Sequence, residues 1–451
     1  MHSNQFRLSE QLHICDVENG WKGIYSPFGH KFAFLWDDIF NKIKRQQLDN
    51  VDPEILKYLQ ENNILVQQGF EKKWFENINK PAEVTINNMF LVVTQACNMG
   101  CKYCAVIENF DNPNRFKECM SIEVGRNALD LFYKQLTKHK LDDSRITFYG
   151  GEPLLNKKLL LDLIPRIRDK RLKWQKKSTE IVLITNGLIY DSALTTVFKN
   201  FNVGVCVSLD GLQKHQDVTR ITRKDKKSTF DKVISNYYKY QNAGLTMGIS
   251  TAIGKHNIYD LKEICNFYID KLKPNFVEFQ IPYQVSNESN DYYISTSQIT
   301  EILMDAYNLL ISNGIIEGLG YRRIRDIMNG TIHLRDCGSS GFQLVVAPDG
   351  MIGPCHSMVG TRTFFSDNVL NKKCSPETNE HFKLWARRYP LRMEECLVCP
   401  FVTICGGGCI YNSYVSSGSI WNKDPQVCTY LQGMMNWILK NIWNNYKNNI
   451  N

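Results

Sequence analysis

Three closely spaced cysteines are the residues of this chain best suited to chemistry. Cys97, Cys101 and Cys104 stand in a Cys-x3-Cys-x2-Cys pattern directly after a short apolar run. Three thiolates can hold a [4Fe–4S] cluster by three of its irons, which leaves the fourth iron open to another ligand. They make a poor structural zinc site, because such a site takes four ligands. The spacing therefore predicts an iron–sulfur cluster with one open position, the alternative being three unrelated core cysteines.

A second set of seven cysteines lies in the last quarter of the chain. In a chain with no export signal these thiols are poor candidates for disulfides, because the cytosol keeps thiols reduced. Grouped thiols in a reducing compartment indicate metal binding. A pair of zinc sites is the alternative to iron–sulfur clusters, since Cys-x2-Cys is a common zinc motif. The seven are Cys337, Cys355, Cys396, Cys399, Cys405, Cys409 and Cys428.

Glycine-rich and polar segments follow three further apolar runs. Adjacent glycines let the backbone approach a ligand closely, and a carboxylate, an amide and a hydroxyl stand beside them. Each segment alone is also consistent with a simple turn. Their occurrence in order along the chain is more specific than any one of them. The segments are Gly150-Gly151-Glu152-Pro153, Thr185-Asn186-Gly187 and Ser208-Leu209-Asp210-Gly211.

The elements that must position these residues alternate between strand-length apolar runs and longer amphipathic stretches. This alternation predicts an α/β fold with a parallel sheet. Six units in about 200 residues indicate a partial (β/α)6 TIM barrel, in which chemistry lies at the carboxyl ends of the strands. The predicted strands are residues 89–94, 145–149, 180–185, 204–209, 247–252 and 276–281.

Five regions follow from the same pattern. Residues 1–85 are predicted to form a small winged-helix-like α+β module, and residues 86–285 are predicted to form the partial barrel. Residues 286–334 bridge to a loop-rich, cysteine-rich domain at 335–430, and residues 431–451 form a C-terminal helix. Loop-rich regions of this kind often need bound metal to fold.

Composition excludes several classes of protein. Hydrophobic residues make up 43% and charged residues 22%, as in ordinary globular proteins. The chain shows neither a secretory signal nor an apolar run of membrane-spanning length, so we expect a cytoplasmic protein with no membrane partner. The net charge of +8 comes without a basic, aromatic-rich run, so no nucleic-acid partner is expected. A regulator that binds nucleic acid through residues 1–85 is a minor alternative.

The first cysteine motif resembles the signature of radical S-adenosylmethionine (radical SAM) enzymes. Tyr103, directly before Cys104, is part of that likeness. The resemblance implies that the open iron binds the amino and carboxylate groups of S-adenosylmethionine. Reduction then cleaves this cofactor to a 5′-deoxyadenosyl radical, which takes a hydrogen atom from the substrate. The cofactor carries the difficult chemistry and the protein positions it.

The strand-end segments match the same family. The resemblance implies that Gly-Gly-Glu-Pro meets the amino group of S-adenosylmethionine and that Thr-Asn-Gly lies near its ribose or methionine moiety. A serine and a later arginine meet its carboxylate, which an arginine fork suits. Arg223 is an equally cationic alternative to Arg220. The implied cofactor-binding residues are Tyr103, Gly150, Gly151, Glu152, Pro153, Thr185, Asn186, Ser208, Asp210 and Arg220.

The C-terminal cysteines resemble the SPASM extension of peptide-modifying radical SAM enzymes, which carries two auxiliary [4Fe–4S] clusters. Some relatives have a further cysteine where this chain has Gln343, so the first auxiliary cluster has an open iron or takes Cys374 as a ligand. The resemblance implies that Cys337, Cys355 and Cys409 hold the first auxiliary cluster and that Cys396, Cys399, Cys405 and Cys428 hold the second.

The same resemblance implies a maturase that installs a thioether or carbon–carbon cross-link in a ribosomally made precursor peptide. Its partners would be that peptide, whose leader residues 1–85 would bind by strand addition, and an electron donor such as flavodoxin or ferredoxin. Anaerobic sulfatase-maturating enzymes have a catalytic Asp where this chain has His356, and an imidazole can also serve as a base. Formylglycine formation is therefore one alternative, and a non-catalytic iron–sulfur electron carrier is another.

Overall fold

A computed structural model describes residues 6–80, 83–104, 118–282 and 292–448. The predicted boundary between the barrel and the bridging region, at residues 285 and 286, lies outside these ranges. The division of the chain into five regions therefore stays a prediction. None of the described helices is both long and apolar enough to cross a membrane.

The N-terminal part combines a three-stranded antiparallel sheet, a separate two-stranded pair and three helices. Strands β2, β3 and β4 form the sheet, and β1 pairs with β5. Asp52 caps the second helix by accepting the backbone N–H of Glu54, and Pro53 occupies the first helical position, where a proline is favoured. The elements are β1 Phe6–Leu8, β2 His13–Glu18, β3 Trp21–Ser26, β4 Lys31–Trp36, α1 Asp37–Lys44, α2 Pro53–Glu61, β5 Leu65–Gln67 and α3 Phe70–Ile78.

Six consecutive parallel strands form the centre of the molecule, which confirms the predicted α/β fold and all six predicted strands. Each strand is hydrogen-bonded to the next in chain order, because each crossover helix returns the chain to the same end of the sheet. The strands are β6 Asn88–Thr94, β7 Asp143–Gly150, β8 Ser178–Thr185, β9 Val203–Ser208, β10 Met247–Ala252 and β11 Phe276–Gln280.

Helices cover the outer face of this sheet. Apolar side chains at helical spacing, among them Leu159, Leu160 and Leu163, are fully buried against it. Burying one such side chain stabilises the fold by about 1.5–3 kcal/mol. The helices are α4 Ile122–Lys138, α5 Lys157–Lys173, α6 Ser192–Asn200, α7 Gln213–Thr219, α8 Phe230–Asn242 and α9 Leu261–Phe267.

The C-terminal part continues the same sheet instead of standing apart from it. A strand at Gln343–Val346 pairs parallel with β6, placing Leu344 opposite Met89. The cysteine-rich region therefore begins beside the strand that leads into Cys97. The remaining elements are α10 Thr296–Ser312, β12 Ile316–Glu317, α11 Gly318–Met328, β13 Gln343–Val346, β14 Ile352–Gly353, α12 Glu380–Arg387, α13 Glu394–Leu397, α14 Ile410–Ser417 and α15 Pro425–Asn448.

The long final helix connects the two ends of the chain. Trp443 of α15 packs against Trp21 of β3, with ring centres 4.7 Å apart. Its indole N–H donates to the carboxylate of Glu18 over 2.8 Å. The same helix packs along α10. The N-terminal sheet is thereby fixed to the C-terminal part of the molecule.

Candidate active site

One cavity of about 690 Å³ lies at the carboxyl ends of the barrel strands. Cysteines from both predicted sets line it. Because β13 lies beside β6, residues far apart in sequence meet across this space. The lining cysteines are Cys97, Cys101 and Cys104 from the first set, Cys337, Cys355 and Cys409 from the second, and Cys206 of β9, which belongs to neither set.

The loop after β6 gathers the first three cysteines. The Sγ of Cys97 accepts the backbone N–H of Met99 at 3.4 Å and the side-chain amide of Asn186 at 3.6 Å. The guanidinium of Arg220 donates to Cys101 Sγ over 3.8 Å. Donors directed at sulfur favour its anionic form, so the loop is prepared for thiolates.

Burial nevertheless raises the pKa of the Cys97 thiol, and it raises that of Cys101 to about 12. The neighbouring Cys104 raises both pKa values further. Thiols with such pKa values stay protonated near neutral pH unless a metal displaces the proton. These three residues therefore fit a metal centre better than a free nucleophile.

The number of cysteines in this loop suits an iron–sulfur cluster. Three thiolates can hold a [4Fe–4S] cluster by three of its irons, whereas a structural zinc ion takes four ligands around one centre. Within the described residues, no three His, Cys, Asp or Glu side chains form a group that would hold one metal ion.

Glu152 holds the second strand end to the third. Its side chain is completely buried. Oε2 accepts the backbone N–H of Asn186 at 2.8 Å, and Oε1 accepts the Thr185 hydroxyl at 2.9 Å and the Leu154 backbone N–H at 3.0 Å. Burial raises its pKa to about 7 although these bonds oppose the shift. Glu152 therefore fixes the relative positions of the loops that line the cavity.

Two glycines let this loop lie directly on the cysteine loop. Gly150 has φ +145°, and a Cβ there would stand 2.2 Å from the carbonyl oxygen of Thr94. A Cβ on Gly151 would stand 2.3 Å from the carbonyl oxygen of Ala96. The glycine pair thus lies against the backbone just before Cys97, whereas the close approach to a ligand that the sequence predicts stays a prediction. Any larger side chain would push the two loops apart.

A buried ion pair stands behind the first cysteine loop. Asp210 Oδ1 accepts Arg220 Nε at 2.9 Å, and Oδ2 accepts the Tyr103 hydroxyl at 2.5 Å. Burial opposes the ionisation of Asp210, yet Arg220 and His256 hold its pKa well below the usual range. Asp210 thereby holds the positively charged guanidinium of Arg220 beside the Cys101 sulfur.

The predicted cofactor-binding residues divide into two groups. Seven of them line the cavity, whereas Glu152, Pro153 and Asp210 lie behind its wall and position the others. Arg223 also lines the cavity, and its Nε donates to the carbonyl oxygen of Cys97 at 3.0 Å. The seven are Tyr103, Gly150, Gly151, Thr185, Asn186, Ser208 and Arg220.

His356 lies on the wall formed by β6 and β7. Its ring stacks on Phe90 with centres 4.6 Å apart and meets Tyr149 edge-on at 5.1 Å. Its Nδ1 is buried, and the described residues offer it no hydrogen-bond partner. Burial lowers its pKa to about 4. The imidazole is therefore neutral near pH 7 and borders the cavity.

The remaining cysteines form a separate group behind the cavity. The pKa of Cys428 is raised to about 12, mainly by burial and to a lesser extent by the neighbouring Cys399, Asp424 and Cys396. Asp424 connects the two groups, because its Oδ2 accepts the N–H of Cys409 at 2.9 Å and its carbonyl accepts that of Cys428 at 3.1 Å. The group comprises Cys396, Cys399, Cys405 and Cys428.

The positions of Gln343 and Cys374 bear on the two alternatives for the first auxiliary group, an open iron or ligation by Cys374. Gln343 lines the cavity, and its side-chain amide donates to the carbonyl of Pro354 at 2.9 Å. Cys374 is buried within a hydrophobic cluster away from the described cavity lining. This position favours an open iron over ligation by Cys374.

Sequence reasoning missed several residues of this site. Asn98, inside the cysteine motif, accepts the side-chain amide of Asn186 at 2.7 Å. Because Asn98 lies between Cys97 and Cys101 in the sequence, it could have been predicted as a residue of the site. Asp336, the residue before Cys337, accepts hydrogen bonds from Arg322 and Arg323 of α11 at 2.9 and 2.7 Å. No sequence motif connects α11 with the cysteines, so only the three-dimensional structure reveals this contact.

Comparison with known proteins agrees with this geometry. Residues 91–268 match the family model described as the radical SAM superfamily. The radical SAM cyclopropyl synthase TigE of Paramaledivibacter caminithermalis is 23% identical over 94% of this chain and 90% of its own. A cysteine-type anaerobic sulfatase-maturating enzyme of Clostridium novyi is 22% identical over 70% of this chain and 85% of its own.

Solved structures share the fold. The enzyme anSMEcpe with bound AdoMet (S-adenosylmethionine) superposes with a TM-score of 0.64 at 18% identity, over 79% of this chain and 99% of its own. Streptococcus suis SuiB bound to its precursor peptide SuiA superposes with a TM-score of 0.54 at 12% identity. That match covers 94% of this chain and 99% of the other.

Proposed function

Because residues 91–268 form a radical SAM domain, we propose that this enzyme installs a cross-link, a thioether or a carbon–carbon bond, in a ribosomally made precursor peptide. The observation that carries the proposal is the single cavity of about 690 Å³ bordered by two sets of cysteines. A volume of this size admits a peptide side chain together with a cofactor. A simple electron carrier needs no such space.

The chain's own residues provide the environment for the reaction. When bound, the [4Fe–4S] cluster at Cys97, Cys101 and Cys104 and S-adenosylmethionine supply a 5′-deoxyadenosyl radical that takes a hydrogen atom from the substrate. Arg220 and Arg223 face the cavity with positive charge that suits the cofactor carboxylate. Glu152 holds the loops bearing Asn186 and Gly151 in register.

His356 is our candidate for the group that takes a proton from the substrate. Forming a cross-link removes two hydrogen atoms from the peptide. The 5′-deoxyadenosyl radical would take one of them, and the other would leave as a proton and an electron. The auxiliary cluster that Cys337, Cys355 and Cys409 would hold at the cavity would accept that electron. A neutral imidazole on the cavity wall can accept that proton. The stacked contact with Phe90 supports this role by fixing the plane of the ring.

The N-terminal module supports a peptide substrate. The cyclopropyl synthase and the SuiB structure both match 94% of this chain, whereas the sulfatase maturase matches 70%. Strands β2 and β4 are the edges of the N-terminal sheet. An extended leader peptide can add to such an edge through its backbone hydrogen bonds. We assign leader binding to residues 1–85 on this basis.

The electron for cofactor cleavage would come from a small carrier such as flavodoxin or ferredoxin. All 15 cysteines of the chain are free of disulfide bonds in the structure, as is usual for proteins of a reducing compartment. We therefore place the reaction in the cytoplasm.

A co-expression experiment tests the proposed activity. The enzyme is produced with each peptide encoded by a short reading frame beside its gene, and the peptides are analysed by tandem mass spectrometry. We expect one peptide to lose two hydrogen atoms and to resist fragmentation between two residues. The control enzyme, C97A/C101A/C104A, must leave that peptide unchanged. Unmodified peptides throughout would contradict the proposal.

Formylglycine formation is the second candidate, supported by the likeness to the Clostridium novyi maturase. Purified enzyme is given a sulfatase-derived peptide containing Cys or Ser, and an aldehyde product is trapped with a hydrazine. His356 stands where those enzymes have an aspartate, which weakens this assignment. An aldehyde product without any cross-linked precursor would select this candidate over the first.

A further inference from the structure

The part of the cavity wall that belongs to β10 and β11 has no role in the cofactor site described above. The residues implied to bind S-adenosylmethionine all lie at the ends of β6 to β9 or in the segments that follow these four strands. Along β11, successive side chains point to opposite faces. Val277 is buried in the core, whereas Glu278 and Gln280 are exposed and border the cavity. Glu278 therefore lies where a substrate can reach it.

Glu278 differs from the other two carboxylates on the cavity wall, Asp336 and Asp424. Asp336 accepts hydrogen bonds from two arginines of α11, at 2.9 and 2.7 Å. Asp424 accepts two backbone N–H groups, at 2.9 and 3.0 Å. Within the described parts of the chain, the carboxylate of Glu278 takes part in neither a hydrogen bond nor an ion pair. Both of its oxygens are therefore available to accept hydrogen bonds from a ligand.

The arginines on the described cavity wall are directed away from Glu278. Arg145 forms an ion pair with Glu180 at 3.2 Å, and Arg220 forms one with Asp210 at 2.9 Å. The two arginines of α11 share a single aspartate, and the fifth arginine donates to a carbonyl oxygen of the cysteine loop. A positive charge for Glu278 would therefore have to come from a ligand.

Small residues surround Glu278 and let a long side chain approach it. Ser250 is its register partner on β10, and Ala252 follows on the same strand. Gly318 begins α11 beside them, where an added Cβ would stand 3.6 Å from the Cγ of Glu278. All three residues line the cavity. A flexible side chain that enters the cavity can therefore reach the carboxylate.

The hydration of Glu278 determines which side chain it favours. The residue is exposed, so solvent can hydrate its carboxylate. A peptide segment in the cavity would displace that solvent, and an ionised carboxylate without a partner is costly in such a place. A lysine or arginine side chain removes this cost by forming an ion pair. A neutral or acidic side chain leaves the charge unpaired, so the site discriminates against it.

We propose that Glu278 binds a lysine or arginine side chain of the peptide substrate and thereby selects peptides with a basic residue near the modified position. This inference rests on the proposed function of the cavity as a peptide-modifying site, and it names the class of peptide. Glu278 is a specificity-determining residue that acts on binding. The proton transfer assigned to His356 on the wall of β6 and β7 is a separate task.

Selection from a displayed peptide library tests the inference. The iron-loaded full chain with S-adenosylmethionine is the target, and peptides with a randomised segment are the probe. The parent should enrich lysine and arginine. Glu278→Gln keeps the size of the side chain but removes its charge, and the enrichment should fall at least about tenfold. Glu278→Lys should enrich aspartate and glutamate instead.

A matched control removes a carboxylate elsewhere on the surface. Glu263 of α9 is exposed and pairs with Lys214 at 2.8 Å, so Glu263→Gln should select the same peptides as the parent. Equal enrichment by the parent and Glu278→Gln, or no preference for basic residues in the parent, would overturn the inference. A Glu278→Lys protein that still prefers basic residues would overturn it as well. A new preference for acidic residues supports the inference and cannot result from misfolding.

Mass spectrometry of the selected peptides separates this inference from the proposed function. Each peptide is incubated with the reduced parent protein and with Glu278→Gln. A preference for basic residues without any peptide losing two hydrogen atoms would support the assignment of Glu278 and contradict cross-linking. Cross-linked peptides selected without regard to charge would overturn the inference alone. Equal binding with cross-linking lost only in Glu278→Gln would also overturn it, because Glu278 would then act in proton transfer.

Discussion

The Oε2 atom of Glu152 accepts the backbone N–H of Asn186 over 2.8 Å. This bond joins the loop after β7 to the loop after β8. The Glu152 side chain is fully buried. The wall of the cavity therefore depends on a group that does not itself border the cavity. Its function is to position other residues.

Glu152→Gln should weaken cofactor binding without removing the cluster. A glutamine keeps one of the two carboxylate oxygens and places an N–H₂ group where the other oxygen accepts hydrogen bonds from the loops. At least one buried donor then loses its acceptor, which costs about 1–3 kcal/mol. We expect the dissociation constant for S-adenosylmethionine to rise roughly tenfold or more. Equilibrium dialysis of the iron-loaded protein measures it. Glu180→Gln, at an exposed position on β8, is the matched control, and equal affinities would refute the assigned role.

His356→Ala should separate cofactor cleavage from peptide modification. If the imidazole takes the substrate proton, the variant still forms 5′-deoxyadenosine but yields at least about tenfold less modified peptide. His381→Ala, whose ring packs on Phe364, controls for loss of an imidazole elsewhere. Normal amounts of both products from His356→Ala would remove this residue from the mechanism.

The ion pair of Asp210 and Arg220 should show strong coupling in the metal-free protein. Arg220→Gln leaves a buried carboxylate without its counter-charge, which costs about 3–5 kcal/mol of unfolding free energy. The double variant Asp210→Asn with Arg220→Gln removes both charges and should recover most of that loss. Urea unfolding of the four proteins gives the coupling. Additive single effects would show that the pair contributes nothing.

Glu317 gives a pH-dependent prediction away from the cysteines. It caps α11 by accepting the N–H groups of Leu319 and Gly320 at 2.8 and 2.7 Å, and burial raises its pKa from 4.5 to about 7. A carboxyl whose folded-state pKa is raised adds stability below pH 4.5 that is lost as the pH rises through 7.

Relative to Glu317→Gln, the parent protein should therefore lose roughly 3 kcal/mol of unfolding free energy between pH 4.5 and pH 7 and change little above pH 8. Thermal unfolding of the two proteins across this range measures the difference. A difference that stays constant with pH would show that Glu317 titrates as an exposed glutamate does.

The sequence predicted the parts of this site that local pattern determines. The spacing of Cys97, Cys101 and Cys104 and the positions of Glu152 and Asn186 follow from short motifs at strand ends. The six barrel strands follow from apolar runs of the right length.

Other features depend on contacts between distant segments. The parallel pairing of β13 with β6 joins residues about 250 positions apart through a run of only four residues. The full burial of Arg388, which follows α12 and donates to the carbonyl of Gly408 at 3.3 Å, could not be predicted from the sequence, because arginines are mostly exposed. The placement of Glu152 behind the cavity wall likewise required the three-dimensional fold.

The central claim is that Cys97, Cys101 and Cys104 hold a cluster that cleaves S-adenosylmethionine within the shared cavity. The most direct test is the yield of 5′-deoxyadenosine from anaerobically reconstituted, dithionite-reduced protein supplied with S-adenosylmethionine. The parent protein should form this product, and Cys104→Ala should not, although its auxiliary iron remains. A parent protein that loads iron and still forms none, or a Cys104→Ala variant that forms as much as the parent, would contradict the claim.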